Sequence, residues 1–136
     1  MQLNIIPLKE TDYENILCGW WRDWRWAPPL KDFLPDNGKG GFIVYDGDIA
    51  VCAGFMYTTN SKAVWCDWII SNINYKDRVK RKEALELLIK TISNKAELLG
   101  MKYIYALIKN KPLIDTYKKA GFIAASSYNQ EMIKKI

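Results

Sequence analysis

The chain contains no histidine. That absence excludes Ser-His-Asp and Cys-His nucleophilic machinery and the common His-bearing metal sites, so no metal is expected. Any general base must be Asp, Glu, Tyr, Cys or a water. Cysteine is scarce: Cys18, Cys52 and Cys66 are odd in number, far apart and without a CxxC pair. This argues against a disulfide framework or zinc site and for buried thiols in a reducing compartment. No run of about 18 uncharged apolar residues is present, so no membrane span is expected. The start, Met1-Gln2-Leu3-Asn4, lacks the basic-then-apolar pattern of a signal peptide, and the expected location is cytoplasmic. Repeats, low-complexity tracts and linkers are also missing, and 136 residues fit one domain, 1–136.

Charge is present in quantity but unevenly. Residues 1–75 hold 6 Lys/Arg against 9 Asp/Glu, a balance of −3, and residues 76–136 hold 14 against 6, a balance of +8. An anionic partner for the second half follows: a phosphorylated cofactor, a nucleic acid or an acidic protein. The expected elements start with a strand over 2–9 and a helix from Thr11, with Glu14 completing a capping box. Tyr13, Ile16, Leu17, Trp20 and Trp24 share one face of that helix. Strands over 42–45 and 49–57 flank Asp46-Gly47, a hairpin turn, and 63–71 completes an antiparallel meander. Arg81 to Leu99 carries a helical stripe ended by Gly100. The run 101–108 reads as a strand buried on both faces. Asn110 caps a short helix with Pro112 in its first turn, and 122–125 and 130–136 read as closing strands.

Asn110 to Phe122, NKPLIDTYKKAGF, resembles a segment of the GNAT acyltransferases at Asn110, Tyr117, Gly121 and Phe122, and the element order resembles that fold over nearly the whole chain. The resemblance implies an α/β fold: a mixed sheet, antiparallel meander first, then a parallel strand pair splayed at the cofactor site, with flanking helices. It implies acetyl-CoA as acyl donor, with Ile69, Ile70 and Ser71 beside the pantetheine and Tyr117 protonating the leaving thiolate. Before the long helix the family has a glycine-rich loop whose amides hold the CoA pyrophosphate. Ala84 matches its last small residue, but Lys82 and Val79 stand where glycine and Arg/Gln are usual. Lys76, Arg78, Lys80, Arg81 and Lys82 are then the candidates to hold the pyrophosphate, and Asn110 joins the cofactor-binding set.

Asp67, between Trp65 and Trp68, is the candidate base. Trp21, Trp24 and Trp26 are candidate substrate-facing residues. Trp21 and Trp26, off the helical stripe, suit either an acceptor pocket or a homodimer contact. The implied function is N-acetyl transfer to a small-molecule or protein amine by direct attack in a ternary complex. The alternative is a catalytically degenerate protein of the same fold that binds a partner protein, as suits the missing glycines and a resemblance to small virus- or plasmid-borne relatives. Nucleic-acid binding ranks last, because most tryptophans lie in the acidic half, away from the basic residues.

Overall fold

β-Branched and aromatic residues dominate the middle of the chain, and they build the sheet. The computed structural model describes residues 2–128 and 130–136. Its strands are β1 (Leu3–Pro7), β2 (Gly41–Asp46), β3 (Ile49–Thr58), β4 (Ala63–Ser71) and β5 (Tyr103–Tyr105), side by side in chain order. Strands β1 to β4 pair antiparallel, and β4 pairs with β5 in parallel. The β2–β3 turn is Gly47-Asp48, one residue later than the sequence suggested. Asp46 pairs with Ile49, and Gly47 takes a φ of 61°, as the first central residue of a type II′ turn does.

Between β1 and β2 the chain makes a π-helical turn (Tyr13–Leu17), helix α1 (Cys18–Asp23) and two 3-10 turns, Lys31–Phe33 and Pro35–Gly38. The π turn corrects the helical stripe. A wider turn shifts later residues around the axis, so Trp20 and Trp21 are both buried, Trp21 being only 2% exposed. The expected capping box is not formed. The buried Asp12 carboxylate instead accepts from the Lys9 N–H at 2.8 Å.

Helix α2 (Arg78–Leu98) starts earlier than its apolar stripe implied. The Asp77 side chain caps it, accepting from the Lys80 N–H at 3.0 Å. Ala84, Leu88, Ile89 and Ile92 on its inner face join a core with Val44, Val51, Cys52, Cys66 and Tyr117. A second core on the other side of the sheet joins Leu17, Trp20, Trp21 and Leu34 to Ile43, Ala53, Phe55 and Ile70. All three cysteines are free and buried.

The C-terminal third departs furthest from expectation. Only Tyr103–Tyr105 of the apolar run 101–108 is strand, and Tyr103 is 66% exposed. No further strand flanks β5 among the described residues, so it is a sheet edge with solvent on one side rather than a doubly covered strand. The segments 122–125 and 130–136 are not strands; without a ladder partner their Ile123, Met132, Ile133 and Ile136 side chains are exposed. Helix α3 (Lys111–Lys119) forms as its sequence implies. Asn110 Oδ1 accepts from the Leu113 N–H at 3.0 Å, Pro112 lies in the first turn, and Gly121 follows with a φ of 97°. No helix among the described residues is long and apolar enough to cross a membrane.

Candidate active site

The site begins where β4 and β5 part. Their parallel pairing covers only Ala63↔Tyr103, Val64↔Ile104 and Trp65↔Tyr105, whereas β4 runs on to Ser71. From Cys66 onward the edge of β4 on that side has no strand partner, and this unpaired edge is the gap of the candidate site. A bulge lies within this stretch. Phe55 pairs with Asp67 and Ala53 with Ile70, so Trp68 and Ile69 together oppose Gly54. Trp68 absorbs the extra residue with a φ of 58°, a strained conformation for an aromatic residue. The Asp67 Oδ1 accepts from the Trp68 N–H at 2.8 Å. Gly54 leaves the room: a Cβ there would sit 2.8 Å from Ile69 Cδ1 and 3.2 Å from Leu88 Cδ2.

The bulge inverts the side-chain alternation. Cys66 belongs to the α2 core and Ile70 to the α1 core, although four residues of regular strand would put both on one face. The gap therefore has an α3 side, where Cys66 points, and an α1 side, where Asp67 points.

Tyr117 reaches the α3 side from the inner face of its helix. It is 3% exposed, stacks edge-on against Phe122 at 4.9 Å, and its hydroxyl lies 3.3 Å from Cys66 Sγ. Burial, then the Cys66 thiol and the more distant Asp67 carboxyl, push the Tyr117 hydroxyl well above its ordinary range, so it is a held proton donor. Burial pushes the Cys66 thiol up to about 11, against the pull of its contact with Tyr117. Cys66 is a neutral neighbour at physiological pH, not a thiolate nucleophile. Burial also raises Asp67, opposed by its bond to the Trp68 N–H and reinforced by Glu131. A carboxyl so raised accepts protons more readily than an ordinary surface Asp.

Other candidates separate. The Asn72 N–H bonds Val51 O on β3, so by alternation Ile69 and Ser71 turn their backbone groups to the gap, and Ile70 turns its own to β3. Ser71 O is already engaged by Trp24 Nε1 at 2.8 Å. Trp24 stacks on Trp26 at 5.9 Å, and Trp26 is 54% exposed. Trp21 is withdrawn as a surface residue, because the π turn buries it. Ala84 is fully buried in the α2 core. Asn110 spends its side chain on the cap of α3.

Arg78, Lys80, Arg81 and Lys82 are helical, not loop residues. Lys80 Nζ pairs with Asp46 at 3.4 Å. Arg81 donates to Tyr75 O, and its buried Nε has no partner among the described residues. Arg78 and Lys82 are exposed.

Sequence reasoning missed the wall on the α1 side. Phe33 packs edge-on against Trp68 at 5.9 Å, and Tyr57 Oη bonds Phe33 O at 2.9 Å. Nothing in a strand-like stretch marks Trp68 for positive φ, and Phe33 meets it only through the tertiary fold. A concavity of about 540 Å³ lined by Phe42, Met56, Tyr57, Lys95 and Leu99, among others, lies elsewhere on the sheet.

A sheet that is antiparallel through β4, a parallel β4–β5 pair that splays, and a capped helix carrying Tyr117 into the splay define one architecture. The chain has the GNAT fold. Solved structures agree. A GNAT family acetyltransferase from Staphylococcus aureus superposes with a TM-score of 0.63 at 15% identity, over 98% of this chain and all of that one. The ribosomal-protein-S18-alanine N-acetyltransferase from Escherichia coli gives 0.67 at 15% identity, over 92% and 80%. N-acetylglutamate synthase from Neisseria gonorrhoeae, solved with coenzyme A and L-arginine, gives 0.71 at 17% identity, over 91% of this chain and 28% of that longer one. No family model and no curated protein matches the sequence. The likeness to these structures is one of fold, at 15–17% identity.

Proposed function

We propose that the chain is an acetyl-CoA-dependent N-acetyltransferase that moves an acetyl group to an amine by direct attack in a ternary complex. The observation that carries this reading is the buried, protonated Tyr117 hydroxyl at the mouth of the β4–β5 splay. In this reading the acyl-pantetheine arm lies along the unpaired edge of β4 beyond Trp65, beside the Ile69 and Ser71 backbone, with the Trp24 indole on Ser71 O at one end. Bound there, the donor supplies an activated acyl thioester. Tyr117 Oη donates its proton to the departing sulfur. Asp67, on the opposite side of β4, takes the proton of the attacking ammonium, directly or through water. The amine then enters from the α1 side, past Phe33, Trp68, Trp24 and Trp26. No histidine or covalent nucleophile is needed.

One observation favours a second reading, a partner-binding protein on a non-catalytic GNAT fold. The N-terminus of α2, beside the gap, is already occupied by the Asp77 carboxylate. Calorimetric titration with acetyl-CoA decides between the two. The acetyltransferase reading requires one saturable site; absence of binding moves the function to the partner-binding reading.

A further inference from the structure

The donor end of the site holds a contradiction. Strand β4 leads through a short connection, residues 72–77, to the N-terminus of α2. A helix N-terminus that follows a strand beside a ligand gap is the natural seat for a diphosphate, because free N–H groups and the helix dipole favour an anion. Here that seat is closed in three ways. Asp77 Oδ1 takes the Lys80 N–H at 3.0 Å, placing a carboxylate against the helix N-terminus, where it repels a phosphate. The chain has no glycine between Gly54 and Gly100, so no backbone there offers the close approach that a missing side chain allows. Two cations of the first turns face away, Lys80 to Asp46 and Arg81 to Tyr75 O. Arg78 and Lys82 remain as exposed charges, whose attraction salt largely screens.

Resting on the acetyltransferase reading, we propose that the donor is selected by its acyl-pantetheine arm alone, and that Asp77 excludes the diphosphate from α2. The substrate class is a pantetheine thioester whose remainder lies outside the protein, whether that remainder is the nucleotide of CoA or another carrier of the arm.

The test uses the full chain and two probes, acetyl-CoA and S-acetyl-pantetheine, titrated calorimetrically at about 0.15 M salt. The two should bind within about fivefold of each other. Asp77→Asn keeps a good cap and removes the charge. It should tighten acetyl-CoA about fivefold or more, the scale of one exposed charge, and leave S-acetyl-pantetheine unchanged. Acetyl-CoA binding more than about thirtyfold tighter than S-acetyl-pantetheine in the unaltered chain would overturn the proposal and leave the acetyltransferase reading intact. Equal affinities with no effect of Asp77→Asn would overturn the role of Asp77. Binding of neither probe would overturn this proposal together with the acetyltransferase reading on which it rests.

Discussion

Tyr117→Phe isolates one hydroxyl. The ring, its contact with Phe122 and the α3 inner face are kept, and only the proton donor beside Cys66 is lost. If Tyr117 protonates the leaving sulfur, thiol release from acetyl-CoA with an accepted amine falls by about 10²-fold or more, while acetyl-CoA affinity changes little. If the hydroxyl only packs, the loss appears as about 1 kcal/mol of stability with turnover intact. Asp67 is separable by pH. Its raised pKa means that the folded state holds this proton more tightly than the unfolded chain does. Its stabilising contribution is thus full below the ordinary carboxylate range and is lost as pH rises through the raised value. Asp67→Asn keeps an oxygen for the Trp68 N–H and has no proton to lose. Its melting temperature should gain on the parent as pH rises from about 4 to 7, and the acid limb of the turnover profile should vanish. A parallel pair of melting curves and an unchanged limb would refute a titrating base at Asp67.

At the scale of elements, α3 was legible because each signal in it is local: an Asn cap, a proline in the first turn, a glycine stop. The Gly47 hairpin was legible to within one residue for the same reason. The bulge at Trp68 was not, since it is set by the opposing Gly54 and by α2 packing across that glycine. Gly54→Val tests this coupling. Its added methyl groups must displace Ile69 and Leu88, costing about 1–3 kcal/mol by overpacking and disturbing the edge of β4 that lines the gap. A variant as stable as the parent, with unaltered donor binding, would show that the bulge does not depend on the missing side chain. The π turn was equally hidden: the aromatic spacing of 13–24 fits a regular helix, and only the packing of Trp20 and Trp21 together on Ile43 and Phe55 selects the wider turn. The sequence pattern places the start of α2 at Arg81 rather than Arg78, because the apolar stripe begins only beyond the cationic residues, whereas the Asp77 cap starts the helix earlier.

For the whole molecule, the order of elements anticipated a mixed sheet, antiparallel first and then with a parallel pair, and the structure has it; the splay of that pair came only from the resemblance to the GNAT acyltransferases. The tertiary context decided the rest. The apolar run 101–108 contributes three strand residues, and among the described residues no strand pairs with the outer edge of β5. The basic half of the chain forms α2 and α3, and part of its charge is consumed internally, at Lys80, Arg81 and Lys119, the last 3.8 Å from Glu86. In the proposed mechanism donor chemistry lies on the α3 side of β4 and acceptor chemistry on the α1 side, with the splay joining them. A crystal structure of the complex with acetyl-CoA tests that claim most directly. The expected result is the thioester sulfur within hydrogen-bonding distance of Tyr117 Oη and the arm along the Ile69 and Ser71 backbone. Acetyl-CoA bound away from the splay, for instance in the concavity beside Phe42 and Lys95, would contradict it.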